Sequence, residues 1–595
     1  MFAKILIANR GEIAVRVMRA CEELGIATVA VYSELDRDAL HVRRADEAYL
    51  IGPGPAAESY LRVETILEVA QRSGAEAIHP GYGFLAENAA FARACEEAGI
   101  TFIGPPASAI EAMGSKTAAR ELMRRAGVPI VPGTTAPVAT VEEARRVIAD
   151  TIGYPVAVKA AGGGGGKGFR VALTEDELEA AFEGASREGE KFFSDPTVYL
   201  ERYLPDPRHV EVQVLADRHG NVIHLGERDC SVQRRHQKLI EESPAPAVDA
   251  ELRDRIGRVA TDAAAAVGYV GAGTIEGLLQ DGEYYFLEMN TRVQVEHCVT
   301  EMTTGIDIVK EGIRAAAGEP LSIAQDDVVL RGHAIECRIN AEDASRNFAP
   351  APGRIGAYRE PSGPGVRVDS GVGPGGEVSP MYDPMVAKLI VWDVDRASAT
   401  RRMLRALDEY EIEGLTTLIP FHKALLATEQ WANAETCRDL IEDRRWLRRL
   451  AAEPAAPAGD GEGDGDEAKV EQTYTVEVSG RRFDVRVIGA PFGGGAGGPA
   501  LNGAAPARPR PRRERRRAGG GGGDTLASPM QGNLWRVKVR QGDVVEEGQL
   551  LCIIEAMKME NEITAHKAGR IVELPIAEGA AISAGDVIAV IKSPE

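Results

Sequence analysis

Between Gly532 and Val590 the chain repeats itself at a fixed offset of 37 residues. Gly532 recurs as Gly569, Gly542 as Gly579 and Gly548 as Gly585. Apolar positions recur in step: Leu534 with Ile571, Val537 with Leu574, Val539 with Ile576, Val545 with Ile582, Leu551 with Ile588, and Ile553 with Val590. Each half alternates apolar and polar residues between glycines, the pattern of short strands joined by tight turns. Two such halves predict a small, quasi-symmetric β-sandwich or flattened barrel. Glu555-Ala556-Met557-Lys558-Met559 falls at the junction of the halves, which places Lys558 on an exposed turn. One solvated surface lysine is the ordinary reading of such a residue. The repeat, the turn and the flanking methionines together argue for a lysine presented for a purpose.

Residues 524–593 resemble the biotinyl/lipoyl domain family, and Ala556-Met557-Lys558-Met559 is similar to its biotin-type motif. The resemblance implies biotin held covalently as an amide on Lys558, attached by a biotin protein ligase. A lipoyl domain is the rival, and methionines on both sides of the lysine disfavour it.

The 595 residues are enough for roughly three to five domains. A net charge of −21 argues against nucleic acid or an anionic membrane as a bulk partner. Seven well-separated cysteines without a Cys-x-x-Cys pair read as reduced thiols, with neither a disulfide framework nor a zinc site. No apolar run reaches the ~18 residues of a membrane span. The chain opens on Met1-Phe2-Ala3 and is expected to enter a strand at once, leaving no room for a signal or transit peptide. The expected compartment is the cytoplasm.

Residues 1–114 alternate strands (Lys4–Ala8, Ala27–Tyr32, Ala75–His79, Ile100–Gly104) with helical segments, the first running through about Leu24. Such alternation predicts a parallel sheet covered on both faces. A dinucleotide site would need Gly-x-Gly-x-x-Gly after the first strand, and that motif is missing. His79-Pro80-Gly81-Tyr82-Gly83-Phe84-Leu85-Ala86-Glu87-Asn88 is a glycine-rich turn, structural when taken alone, and it resembles a segment of biotin-dependent carboxylases.

Residues 115–330 carry the chemistry. Tyr154–Lys159 reads as a strand, and five consecutive glycines, Gly162–Gly166, follow it ahead of Lys167. Such a run forfeits packing and costs entropy, so its use is close backbone approach or a mobile flap. The spacing is not that of a Walker A loop. A flap over ATP phosphates beside Lys159, with Lys116 as a second phosphate contact, fits the ATP-grasp family. Glu288 and Asn290 alternate on a strand and share a face, and Glu276 lies on a neighbouring one. Two carboxylates and an amide oxygen suit a hard cation such as Mg²⁺, with a charged solvated face as the plain alternative. Arg292, Gln294 and Glu296 alternate next and would share a face if the strand persists. An arginine fork matches bicarbonate, and Glu296 beside it could act as a general base. A surface ion pair is the competing reading. Glu227–Lys238 concentrates donors as an anion site would. His209 lies on an alternating strand, where a lone histidine is more often structural.

Residues 1–446 resemble biotin carboxylase, a member of the ATP-grasp enzymes. The resemblance implies that Lys116, Lys159, His209, Gln233, His236, Glu276 and Glu288 contact ATP, with Gly164, Gly165 and Gly166 in the flap and Glu201 and Leu204 near adenine. Glu276, Glu288 and Asn290 would hold Mg²⁺, or Mn²⁺ in its place. Lys238, Arg292, Gln294, Val295 and Glu296 would surround bicarbonate. Arg338 would stabilise the biotin enolate. The catalytic set is then Glu296, Arg292, Arg338 and Lys238. Cys298 departs from the family, which commonly has proline there, and this leaves the local turn open.

The expected fold class is multidomain α/β plus all-β. A parallel α/β pre-ATP-grasp domain (1–114) precedes an ATP-grasp domain with a Gly-rich lid (115–330) and an α+β carboxylase lobe (331–446). A flexible linker (447–523) then leads to the small β-sandwich or barrel of the biotinyl domain (524–593). Within the linker, residues 474–487 read as a hairpin with six apolar residues on one face, expected to dock on a folded surface such as a partner subunit. The basic run 508–517 lacks aromatics and reads as a solvated tether rather than a nucleic-acid arm. The joint resemblance implies the α chain of a biotin-dependent acyl-CoA carboxylase. Its carboxyltransferase would be a separate β subunit, and the carboxylase domain would form homo-oligomers within a hetero-oligomer. The alternatives are the matching subunit of a two-chain pyruvate carboxylase and, in another class, an inactive ATP-grasp scaffold. The sequence leaves the acyl acceptor undecided.

Overall fold

The computed structural model describes residues 1–161, 168–193, 195–235, 237–451, 470–478, 481–489, 524–528, 532–556, 559–582 and 585–592. The glycine run from 162 to 167, His236 and Lys558 lie outside the described residues.

The first apolar runs form a parallel sheet in the order β3-β2-β1-β4-β5, from β1 (Lys4–Ile7), β2 (Ala27–Ser33), β3 (Glu47–Gly52), β4 (Ala77–His79) and β5 (Thr101–Phe102). Helix α1 (Gly11–Glu23) connects β1 to β2. Apolar clusters lie on both faces of this sheet, as a parallel sheet requires: one includes Leu6, Val29, Ile78 and Phe91, the other Ile5, Ile7, Ile13 and Val17.

A three-stranded antiparallel sheet follows, with β6 (Val156–Ala160) between β7 (Phe169–Ala172) and β8 (Val198–Arg202). The main sheet has eight strands in the order β13-β12-β9-β10-β11-β14-β16-β15. These are β9 (Arg208–Ala216), β10 (Val222–Arg234), β11 (Gln237–Ser243), β12 (Gly271–Gln280), β13 (Glu283–Asn290), β14 (His333–Asn340), β15 (Val366–Ser370) and β16 (Met385–Asp393). Strands from the central region and from the third lobe thus share one sheet. His209, Gln233, Lys238, Glu276, Glu288, Asn290 and Arg338 stand on β9 to β14, so one continuous hydrogen-bonded sheet fixes their spacing.

The strand β13 ends at Asn290 and does not persist through Glu296. Residues 291–296 turn away, and Glu296 caps α2 (His297–Thr304). The expectation of a shared strand face for Arg292, Gln294 and Glu296 is therefore overturned. Cys298 occupies the first turn of α2, where amides have no intrahelical acceptor. Cysteine and proline are both compatible with that position, so the departure from the family leaves the turn intact.

Residues 452–524 form a unit of their own. Its described part is a hairpin longer than expected, Val470–Val478 paired with Arg481–Gly489. The register sets Tyr474 opposite Val485 and Val476 opposite Phe483. Their side chains lie outside the described residues.

The repeat folds as two four-stranded sheets. One orders Thr525–Ala527, Val587–Lys592, Gly569–Glu573 and Val544–Val545. The other orders Met559–Thr564, Leu550–Ala556, Gly532–Val537 and Ala581–Ile582. Equivalent residues of the halves meet in one core: Leu534 and Ile571, Val545 and Ile582, Leu551 and Ile588. The turn glycines recur in conformation as well as in sequence. Gly542 and Gly579 have φ of 98° and 81°, and Gly548 and Gly585 have 85° and 92°, a region open to glycine and costly for other residues. Lys558 falls between the strands Leu550–Ala556 and Met559–Thr564.

Candidate active site

Antiparallel pairing of β12 with β13 sets Glu276 directly opposite Glu288 and Thr274 opposite Asn290. The two carboxylates and the amide expected to hold a metal therefore lie along one face, as period-two alternation requires. Glu288 is half-buried and 3.3 Å from Lys116 Nζ. Asn290 is buried, with Nδ2 unpartnered and Oδ1 accepting from Arg292 at 2.8 Å. These three oxygen-bearing side chains fit a hard divalent cation that shares its ligands with phosphates.

Lys238, at the start of β11, is the hub of the site. Its Nζ lies 2.5 Å from Glu211 Oε2, 2.9 Å from Glu276 Oε1 and 2.6 Å from Glu296 Oε1. An ammonium has three protons, and each is directed at a carboxylate. Burial opposes the charge on Lys238, but Glu211, Glu276 and Glu296 hold its pKa well above the ordinary lysine value. Burial likewise opposes ionisation of Glu296. Lys238 foremost, with Arg338 and Arg228, overrides it and holds that carboxyl far below the usual range. Glu276 is lowered in the same way, against burial, by Lys238 and His209. His209 Nε2 stands 3.1 Å from Glu276 Oε2, and that carboxylate raises the imidazole pKa against burial.

The arginines are bracketed by carboxylates. Arg338 on β14 gives Nε to Glu241 at 2.6 Å and a terminal nitrogen to Glu296 at 3.0 Å. Arg292 gives Nε to Glu87 at 2.9 Å, and Glu87 also accepts from the Thr291 amide at 3.1 Å. Gln294 donates to Glu276 at 2.6 Å and accepts from Arg228 at 2.9 Å. The Val295 carbonyl accepts from the buried Lys388 at 2.9 Å. Off the strand, Glu296 reaches Lys238 and Gln294 reaches Glu276, while Arg292 pairs with Glu87 and Asn290.

Lys159 and Arg120 both pair with Glu201, whose carboxyl is lowered by them against burial. Leu204 is half-buried in the loop after β8. Gln233 pairs in register with Lys238 across β10 and β11. Gly164, Gly165, Gly166 and His236 cannot be placed in this geometry, being outside the described residues.

The donor-rich run from Glu227 to Lys238 divides in two. Arg228 is wholly buried and binds Glu211, Gln213, Thr274, Thr300 and Gln294, while Glu227 binds Arg253. These groups are scaffold beneath the site, and the Lys238 end reaches the cleft. Glu211, Glu241 and Glu87 are site residues that sequence reasoning missed. Glu211 carried a readable signal, since it alternates with His209 and Gln213 along β9.

Comparison with known proteins decides what this arrangement is. The chain matches "Biotin carboxylase, N-terminal domain" over residues 1–110 and "Carbamoyl-phosphate synthase L chain, ATP binding domain" over 115–324. It matches "Biotin carboxylase C-terminal domain" over 336–443 and "Biotin-requiring enzyme" over 524–591. A pyruvate carboxylase component of Methanothermobacter thermautotrophicus is 58% identical over 445 residues, 75% of this chain and 90% of that protein.

This chain belongs to the biotin carboxylase family.

It is a biotin carboxylase fused to a biotinyl domain. The biotin-dependent acyl-coenzyme A carboxylase alpha3 subunit of Mycobacterium leprae is 46% identical over 593 residues, 99% of this chain and 98% of that protein. Among solved structures, the biotin carboxylase domain dimer of Hydrogenobacter thermophilus 2-oxoglutarate carboxylase, in complex with MgADP, ADP and bicarbonate, is 51% identical. It covers 75% of this chain and 99% of that one, with a TM-score of 0.71. Among the described residues, no helix is long and apolar enough to cross a membrane.

Proposed function

We propose that this biotin carboxylase uses ATP and bicarbonate to carboxylate biotin on its own carrier domain, as the first half-reaction of an acyl-CoA carboxylase. The observation that carries the reading is the Lys238 hub, which joins Glu276 to Glu296; the reading makes Glu276 a metal ligand and Glu296 the base. Bicarbonate entering beside Arg292, Gln294 and the Val295 backbone accepts a hydrogen bond from Lys238 in place of Glu296, with the ammonium keeping its proton, and this leaves Glu296 less neutralised and so a stronger base. Glu296 then removes the bicarbonate proton, and the resulting oxyanion attacks the γ-phosphorus as its bond to the β-phosphate oxygen breaks, releasing ADP and forming carboxyphosphate. This splits into CO2 and phosphate, and the phosphate takes the ureido N–H proton of biotin. Glu276, Glu288 and Asn290 would hold Mg²⁺, which when bound would supply charge neutralisation at the phosphates. Lys116, Lys159, His209, Gln233, His236 and the Gly164–Gly166 flap hold ATP, with Glu201 and Leu204 near the base, and Arg338 faces the developing enolate charge.

The assignment to an acyl-CoA carboxylase rests on coverage. The acyl-CoA carboxylase relative aligns across linker and carrier, whereas the pyruvate carboxylase relative matches 75% of the chain. The proposed domains are 1–114, 115–330, 331–446, a linker at 447–523, and the carrier at 524–593. The proposed partners are a biotin protein ligase, a second carboxylase copy and a carboxyltransferase β subunit. Seven unpaired, buried cysteines support a cytoplasmic setting. The test is bicarbonate-dependent ATP hydrolysis with free biotin, followed by an acyl-CoA panel with the β subunit co-purified. An ATPase indifferent to bicarbonate overturns the reading, and turnover of pyruvate in place of acyl-CoA overturns the acceptor.

A further inference from the structure

Behind Arg338 lies a second pair of acids that this scheme does not use. Glu241 on β11 and Glu336 on β14 are both 0% exposed and stand directly opposite in register. Arg338 is two residues along from Glu336 and so on the same face, and Lys388 on β16 is opposite Arg338. Glu241 gives one oxygen to Arg338, and its other oxygen, Oε2, has no partner. Neither oxygen of Glu336 has one.

Three buried carboxylate oxygens without a donor cannot persist as two anions. Leaving such charges unmatched in a dry interior is strongly unfavourable. The nearby cations are committed elsewhere. Lys388 donates to the Val295 carbonyl at 2.9 Å and to Cys298 Sγ at 3.1 Å, with Glu12 at 3.3 Å. Arg338 is held by Glu241 and Glu296. Burial raises the pKa of both acids, Glu241 against the pull of Arg338 and Glu336 against that of Lys388 and Arg338, and Glu296 adds to the rise in each. One proton shared between opposed carboxyls resolves the imbalance, as when like charges meet in a dry site.

We propose that Glu336 is a neutral carboxylic acid donating its proton to the free oxygen of Glu241, and that the pair positions Arg338 for biotin. This rests on the proposed carboxylase reading. The fixed pair supplies one negative charge to Arg338 from behind, and Glu296 supplies another from the cleft. When Glu296 takes the bicarbonate proton, Arg338 keeps its anchor and loses its second counter-charge. Its cationic field is then least neutralised at the moment the ureido oxygen of biotin becomes an enolate. Were Glu336 also ionised, Arg338 would stay over-neutralised throughout. Glu241 and Glu336 are positioning residues that act through Arg338.

The readout is carboxybiotin formed per ATP hydrolysed by the full-length chain, with infrared spectroscopy alongside. Glu336→Ala removes the shared proton, and the ratio is expected to fall roughly 10²-fold, the low end of losing one preorganised electrostatic group. Glu336→Gln, whose amide N–H replaces the acid O–H, restores the ratio. The infrared difference between wild type and Glu336→Gln at neutral pH in D2O shows the loss of a protonated-carboxyl C=O stretch. That measurement does not depend on activity, so it stands if Glu336→Ala misfolds. Loss of a carboxylate band instead, a Glu336→Ala variant with an unchanged ratio, or failure of glutamine to rescue overturns the proposal. A wild-type chain that forms no carboxybiotin overturns the function and leaves the infrared result to judge the pair.

Discussion

In the carboxylase cleft, Lys238, Arg228, Glu211, Glu276 and Glu296 lie close together out of solvent, and every one is ion-paired. In the carrier, the described buried residues are Leu534, Leu551, Cys552, Ile554, Ile571, Ile588, Ile591 and similar groups, with Ser528 the polar one. Both regions are β-sheet, yet they answer to different rules. The carrier core is non-directional and tolerates exchange of one aliphatic residue for another, as Leu534 and Ile571 show at equivalent places. The cleft is directional: removing one partner strands another charge in a dry interior. A carrier must present one lysine and otherwise hold together. A carboxylase must keep a base, a cation and a metal site in fixed relation before any ligand arrives.

The largest test of this contrast is Lys558→Ala, expected to abolish streptavidin reactivity while carboxylation of free biotin continues. Any biotin left on the variant would place the attachment elsewhere. In the cleft, Glu296→Gln should lower kcat by about 10²-fold or more, the usual worth of a general base, with ATP binding retained. Steady-state kinetics and nucleotide titration together check it.

The carrier counterpart is Ile554→Ala. Ile554 is fully buried, so the change should destabilise that domain by about 2–5 kcal/mol. Hydrogen exchange across residues 532–592 should accelerate while the carboxylase is unmoved. Acceleration in both would mean that the two cores are not independent.

The smallest effect concerns pH. Burial lowers His41 and His422 to about 4, and His79 and His297 to about 3. Each is neutral in the fold and takes a proton more readily when unfolded, at about 6.5. Their contribution is complete above 6.5 and is lost as pH falls toward 4 and then 3. Urea midpoints should therefore drop through that window in the carboxylase. His422→Gln should flatten the slope by roughly one proton's worth.

The strands of both regions were legible because apolar runs and period-two alternation survive in any context. Glu276, Glu288 and Asn290 were legible for the same reason, since alternation fixes a face. Arg292, Gln294 and Glu296 kept the expected alternation but not the strand, because Glu296 caps a helix that the local pattern did not announce. Arg228 reads identically as an anion ligand or as scaffold, and only its five buried partners decide between them. Lys388 left a trace, a lysine within the otherwise apolar Met385–Trp392, which is tolerable only with partners. Glu241 and Glu336 left none, since their meaning lies in the register between strands about 95 residues apart in sequence.

The commitment of all three Lys238 protons also bears on idling. In the proposed scheme Glu296 is a quenched base until bicarbonate arrives, and a water molecule at the γ-phosphate has no competent proton acceptor in the hub. The same salt bridges that hold the empty cleft in shape thus act as a safety catch. On that scheme they would keep nucleotide turnover tied to the presence of the carbon source, with no moving part other than the proton donor that bicarbonate itself redirects.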